Sequence, residues 1–278
     1  MTAIPTILLN DNHGIPQLGL GMWQVPNAQA PDVIATALDA GYRSIDTAAA
    51  YQNETGAGEA LRKTHIPRDR IYVTTKLWNA DHGFDGALKA MDASLKRLGL
   101  AHVDLYLIHW PLPMRDRYLD TWRALIRLRD EGKAKSIGVS NFNTGHLRRL
   151  IDETGVIPAV NQIELHPHFP QAGLRAFHAK HGIVTESWSP LGQGTLFQDA
   201  TLLRIAQKHG RTVAQIILRW HVELGLVAIP KSVTHSRIRE NLALTGFRLD
   251  ADDMAAIASL DRGAAGRIGP DPETFSMA

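Results

Sequence analysis

Gly41-Tyr42-Arg43-Ser44-Ile45-Asp46-Thr47-Ala48-Ala49-Ala50-Tyr51-Gln52-Asn53-Glu54 is the stretch on which the fold turns. A helical pattern from Pro31 to Ala40 stops at Gly41, a short strand-like run follows, and then come a carboxylate, a phenol and a polar cap for another helix. That order is a strand ending in a working loop, which sets Asp46 and Tyr51 at one rim. Read alone, the segment is equally a capped turn with a tyrosine packed on it. Its recurrence along the chain decides the matter.

Apolar residues spaced three or four apart predict helices over Pro31 to Ala40, Glu54 to Lys63, Gly86 to Leu98, Leu119 to Asp130, Thr144 to Glu153 and Ala172 to His181. Strand-like runs fall between and after them: Ser44 to Asp46, Ile71 to Lys76, Val103 to His109, Ala134 to Ser140, Ala159 to Glu164, Val184 to Ser189 and Leu226 to Ile229. Several are apolar throughout, as expected of strands covered on both faces of a parallel sheet. With the run at Leu20 there are eight. Eight strands alternating with helices in 278 residues predict an α/β fold closed as a (β/α)₈ TIM barrel, against the rival of an open doubly wound sheet. One domain, 1–278, is expected.

Additions to the barrel are also legible. Thr6 to Leu9 and Ile15 to Leu18, joined by Asn10-Asp11-Asn12-His13-Gly14, predict an N-terminal β-hairpin plugging one end. Helical patterns at Ala200 to His209 and Thr212 to Leu224 place an extra helix before the last strand, and a further one is expected at the C-terminus. The Gly- and Pro-rich tail from Arg262 to Ala278 reads as loop. Leu18-Gly19-Leu20-Gly21-Met22-Trp23 lacks the third glycine and the later acidic residue of a dinucleotide fingerprint in the right context.

Composition bounds the rest. An apolar share of 44% with balanced charge indicates an ordinary globular protein, and the absence of cysteine excludes disulfides, thiolate metal sites and a cysteine nucleophile. The N-terminus shows no basic-then-apolar leader, and no window spans a bilayer. A cytoplasmic monomer is expected, with no membrane and, at a net charge of +2, no nucleic-acid partner.

In a barrel the C-terminal ends of the strands form the working face. Those ends carry Asp46, Lys76, His109, Ser140-Asn141, Gln162 and Glu164, Trp188-Ser189, and Lys231. Singly, Lys76 reads as a solvent charge and His109 as a core histidine bonded to a carbonyl. Together with Tyr51 the first three form a usable set. A phenol titrates near 10, and an ammonium about 4 Å away at an effective dielectric of about 20 favours the phenolate by about 4 kcal/mol. Tyr51 is therefore expected to have a lowered pKa, with Asp46 holding Lys76 and cancelling part of its effect. His109 is a second donor for a carbonyl oxygen.

At this point the residues match a family. Gly41 to Ala48 with Tyr51, Glu54 and Gly58, then Ile137-Gly138-Val139-Ser140-Asn141-Phe142, then Ile229-Pro230-Lys231-Ser232 with Arg237 and Asn241, resemble the three signature segments of the aldo-keto reductases. Thr75-Lys76-Leu77-Trp78-Asn79 and Asn161-Gln162-Ile163-Glu164-Leu165-His166-Pro167 look most like the bacterial 2,5-diketo-D-gluconate reductase type. The resemblance covers almost the whole chain. It implies NADPH-dependent reduction of aldehyde or ketone carbonyls, including 2,5-diketo-D-gluconate or small dicarbonyls, through the tetrad Asp46, Tyr51, Lys76 and His109. Tyr51 would be the general acid.

It further implies that Ser140, Asn141 and Gln162 bind the carboxamide of the cofactor and that Trp188 stacks on the nicotinamide, where many members carry tyrosine. Ser189, Leu191 and Gln193 would line the pyrophosphate. Lys231, Ser232 and Arg237 would hold the 2′-phosphate, Val233 would be a further cofactor contact, and Glu240 and Asn241 would face the adenine. Thr234 stands where some members have a further basic residue, which leaves NADH tolerated. Trp23, Trp78 and Trp110 are expected to line the pocket of a small carbonyl substrate.

Two other readings stay open. Glu164-Leu165-His166-Pro167-His168 sets three metal-competent side chains at alternate positions past a strand, as in a mononuclear metal hydrolase. The tetrad reading assigns no metal. A barrel kept as a nucleotide-sensing subunit is the second alternative.

Overall fold

In the computed structural model, residues 5–277 are described. Met1 to Ile4, where the reading of the N-terminus mainly falls, and Ala278 lie outside them. The chain opens with the antiparallel hairpin β1 (Thr6–Leu8) and β2 (Gly14–Pro16), in which Ile7 pairs with Ile15. Eight strands then form one parallel sheet in sequence order: β3 (Leu20–Gly21), β4 (Ser44–Asp46), β5 (Tyr72–Leu77), β6 (Val103–Ile108), β7 (Ala134–Ser140), β8 (Val160–Glu164), β9 (Val184–Trp188) and β10 (Val227–Ala228).

The sheet closes on itself. Gly19 N–H donates to Ala228 O at 2.9 Å, and Ala228 N–H donates to Gln17 O at 3.0 Å. Gly21 sits at this seam, where a Cβ would lie 2.6 Å from Ile229 O, so no larger residue lets the first and last strands approach. Ile15 and Leu9 of the hairpin segment bury themselves against Leu105, Leu107, Val160 and Val227. The hairpin thereby seals the N-terminal end and leaves the other end open.

Helices α1 (Ala30–Ala40), α2 (Glu54–Lys63), α3 (Phe84–Leu98), α4 (Tyr118–Asp130), α5 (Thr144–Thr154) and α6 (Ala172–His181) fill the crossovers. Each presents an apolar stripe to the sheet, and α1 ends where Gly41 takes φ 116° and caps it through Ala37 O and Leu38 O. Between β9 and β10 lie α7 (Ala200–His209) and α8 (Val213–Glu223); after β10 come α9 (His235–Leu242) and α10 (Ala251–Ala258). Reciprocal caps start the later helices: Thr212 with Gln215 on α8 and Asp250 with Asp253 on α10. Expected and observed boundaries differ by no more than two residues, because the 3.6-residue period is strong in each. The tail is more ordered than its composition suggests: Gly263–Gly266 form a 3₁₀ turn, and the remainder is tied across the barrel mouth. Among the described residues, no helix is long and apolar enough to cross a membrane.

Candidate active site

The open rim gathers the four candidate catalytic side chains. Asp46 ends β4, Lys76 lies near the end of β5, His109 directly follows β6, and Tyr51 closes the 3₁₀ turn Ala49–Tyr51. Lys76 is fully buried, and its Nζ donates to Asp46 Oδ1 at 2.5 Å, Thr47 O at 3.0 Å and Tyr51 Oη at 3.4 Å. All three ammonium protons are thus committed, and one of them points at the phenol. The His109 ring meets Tyr51 edge-on at 5.6 Å and Trp78 at 5.2 Å between ring centroids.

Electrostatics correct one expectation. Tyr51 is held above its ordinary value of 10.0, since burial outweighs the opposing pull of Lys76, and Asp46 adds to the rise. The ammonium's field is largely spent on Asp46, and desolvation of a phenolate costs more than the remainder returns. Burial also works against the charged form of Lys76, yet Asp46 and Tyr51 raise it overall, so the ammonium persists. His109 lies well below 6.5 through burial and then Lys76, and is therefore neutral.

Around this centre the nicotinamide candidates form a continuous network. Ser140 Oγ donates to Gln162 O at 2.8 Å; Asn141 Nδ2 donates to His109 O at 3.0 Å and Ser140 Oγ at 3.1 Å. Trp188 Nε1 donates to Asn141 Oδ1 at 2.8 Å, a bond open to an indole at this position. Gln162 Nε2 donates to Asp46 Oδ2 and Glu186 Oε2, both at 2.8 Å. Asn141 and Ser189 hold positive φ, 63° and 47°, which turns the backbone sharply just past β7 and β9.

A cavity of about 840 Å³ is lined by Asp46, Tyr51, His109, Trp188, Ser189 and the three candidate tryptophans, among others. Trp23 is 45% exposed, whereas Trp110 is buried and stacks on Phe275 of the tail at 4.2 Å. A second depression of about 640 Å³ collects Leu191, Gln193, Lys231, Ser232, Val233, Arg237, Glu240 and Asn241. Gln193 and Lys231 line both, so the two adjoin. Arg237 and Lys231 form no ion pair with any carboxylate among the described residues, while Glu240 accepts from Thr212 Oγ1 at 2.7 Å and thereby ties α9 to α8. Sequence reasoning missed Thr212; its place as the cap of α8 was the available signal.

Glu164 is engaged by the tail. Its carboxylate accepts from Ile268 N–H at 2.6 Å and Gly269 N–H at 2.8 Å and lies 3.0 Å from His166 Nε2. Among the described residues, no group of three His, Asp or Glu could hold a metal ion. Asn79 Nδ2 donates to Met277 O at 2.7 Å and Asn143 Nδ2 to Glu273 Oε1 at 2.7 Å, so the tail forms one wall of the cavity. Phe275 and Met277 were not foreseen, because their partners Trp110 and Asn79 lie more than half the chain away in sequence.

Proton-donor side chains in a cavity at the C-terminal mouth of a parallel barrel, with a second depression beside it that carries Lys231 and Arg237, are the arrangement of a barrel oxidoreductase. The model of the Aldo/keto reductase family matches residues 14–262, and the chain belongs to that family. It is 54% identical over 273 residues to an aldo-keto reductase of Mycolicibacterium smegmatis, with 98% of each chain covered. It is 53% identical over 276 residues to the methylglyoxal reductase DkgA of Salmonella typhimurium, covering 98% of this chain and 99% of that one. Among solved structures, the apo form of Gox0644 superposes with a TM-score of 0.95 at 50% identity over 99% of this chain and 100% of that one. A Gox0644 mutant in complex with NADPH gives 0.95 at 49% identity, with the same coverage.

Proposed function

We propose that this protein reduces aldehyde and ketone carbonyls to alcohols with NADPH, and that Tyr51 is the general acid. The observation that carries the reading is the buried Lys76 ammonium, bonded at once to Asp46 and to the Tyr51 phenol beneath a cavity that also receives His109.

The residues present fit the cofactor. The adjoining depressions, one at Trp188 and the other at Arg237, suit a dinucleotide with an anionic far end. Ser140, Asn141 and Gln162 would hold the carboxamide, Trp188 the ring face, and Ser189, Leu191 and Gln193 the pyrophosphate. Lys231, Ser232 and Arg237 would take the 2′-phosphate, with Val233 a further cofactor contact and Glu240 and Asn241 beside the adenine. NADPH, when bound, supplies hydride. Neutral His109 donates a hydrogen bond to the substrate oxygen, and Tyr51 passes its proton to that oxygen as negative charge develops there. Lys76 then faces the tyrosinate it helped to form. A phenol with a raised pKa keeps its proton until a strongly basic alkoxide appears, which suits an acid whose partner is basic only in the transition state.

The methylglyoxal reductases among the relatives favour small dicarbonyls as substrates, and sugar diketones of the 2,5-diketo-D-gluconate kind are a second class for the same tryptophan-lined cavity. NADH should serve more weakly, given Thr234. The test is a panel of methylglyoxal-like dicarbonyls, sugar diketones and aryl aldehydes run with both cofactors on wild type and Tyr51→Phe. Reduction should fall about a hundredfold or more in the variant at nearly unchanged NADPH affinity. A variant that retains its turnover refutes the acid assignment.

A further inference from the structure

Glu186 is a carboxyl group that the mechanism above leaves unused. It lies in the middle of β9, two residues before Trp188, and is 1% exposed inside the barrel. Register places it beside Gln162 on β8 and Val227 on β10. Its Oε2 accepts one hydrogen of the Gln162 amide while Asp46 Oδ2 accepts the other, each at 2.8 Å. Oε1 finds no hydrogen-bond partner among the described residues. The ionisable groups acting on it or affected by it are Asp46 of β4, Tyr51 of the 3₁₀ turn, and Lys76 and Tyr72 of β5. The Leu105, Leu107, Val160 and Val227 side chains of the neighbouring core cluster are apolar.

Two consequences follow from this geometry. An amide with both N–H groups held by carboxyl oxygens cannot flip without losing both bonds, so its Oε1 keeps an acceptor for whatever occupies the cavity that Gln162 lines. A carboxyl in such surroundings is also a charge that can be switched on beneath the tetrad. We propose that Glu186 is a positioning residue for the reaction: by sharing the Gln162 amide with Asp46, it fixes that amide's orientation and makes proton delivery by Tyr51 sensitive to ionisation inside the barrel. The second half rests on the carbonyl-reductase reading; the first half does not.

The sign of the pH effect is set by charge. Burial, then the Asp46 charge, push Glu186 up to about 8, against the opposing pull of Gln162 and Lys76. Glu186 is therefore neutral at pH 7, and Oε1 is where its proton can sit without displacing a bond. Ionisation above pH 8 adds a negative charge that raises Tyr51 further and makes it a poorer donor.

The experiment compares wild type, Glu186→Gln and Glu186→Ala. Wild-type kcat for aldehyde reduction should fall across an inflection near pH 8, and Glu186→Gln, which retains an acceptor but cannot ionise, should lack it up to pH 9. Glu186→Ala should lose about tenfold in kcat/KM at pH 7, most of it restored in Glu186→Gln. In parallel, the side-chain amide signals of Gln162 in ¹⁵N NMR should titrate near pH 8 in wild type and not in Glu186→Gln, a readout independent of turnover. A wild type with no inflection between pH 7 and 9, a Glu186→Gln enzyme that keeps it, or Gln162 signals that do not move each overturn the assignment. Gln162 signals that titrate in a wild type unable to reduce any carbonyl would instead fault the reductase reading and leave the amide-orienting role standing.

Discussion

Lys76 spends its three protons on Asp46, Thr47 and Tyr51 and has none left for solvent. Truncating either end of so buried an ion pair leaves a charge without its partner, which costs more than the pair itself returns. At the second depression the opposite holds: Arg237 forms no ion pair among the described residues and can meet an incoming anion. One charge-assisted bond is worth about 1.5 to 3 kcal/mol, so Arg237→Ala should weaken NADPH binding roughly ten- to hundredfold while NADH changes by less than about twofold. Calorimetric titration of both cofactors checks this, and equal losses refute the 2′-phosphate assignment.

The element with the greatest influence on the cavity beyond the barrel is the C-terminal tail. Three barrel-side residues hold it: Glu164 at two backbone N–H groups, Asn79 at Met277 O and Asn143 at Glu273, with Phe275 stacked on Trp110. Gly269 lies against the Trp188 indole, where a Cβ would come within 2.4 Å of Cη2 and 3.0 Å of Glu164 Oε2. Gly269→Ala must therefore lift the tail or turn Trp188. Because few apolar contacts of the core depend on this strap, the expected result is a KM for aldehyde raised about fivefold or more with Tm changed by less than about 3 °C. Steady-state kinetics with a thermal melt of the same preparation measures both. An unchanged KM removes the tail from the cavity wall.

For the whole molecule, acid is the vulnerability. His82, His178 and His221 are buried and neutral, each lowered to about 4, with burial as the leading cause in all three. His178 is held between Asn161 Nδ2 at 2.9 Å and Thr185 Oγ1 at 2.8 Å, with no carboxylate to welcome a proton. A folded value below the unfolded one means that stability is intact above about 6.5, erodes as pH falls, and is lost by about 4. Each histidine contributes at most about 3 kcal/mol. Melts should show Tm falling by roughly 5 to 10 °C between pH 7 and 5, a slope that Asp and Glu titration alone would place lower. A Tm flat down to pH 5 contradicts neutral burial of these side chains.

How much of this was legible beforehand differs by kind of interaction. The sequence by itself determined what is local and periodic: the alternation of eight strands with helices, the hairpin at the front, and the rim positions of Asp46, Lys76, His109 and Trp188, because strand ends and helical stripes depend on residues a few positions apart. It also carried the Tyr51 turn and the basic group after the last strand. It took the folded chain to show that burial beats Lys76 at the Tyr51 phenol, that Glu164 clasps the tail, and that Glu186 shares an amide with Asp46 across 140 positions. Desolvation and long-range hydrogen bonds depend on which distant atoms meet in the closed barrel, and no periodicity along the chain encodes that meeting.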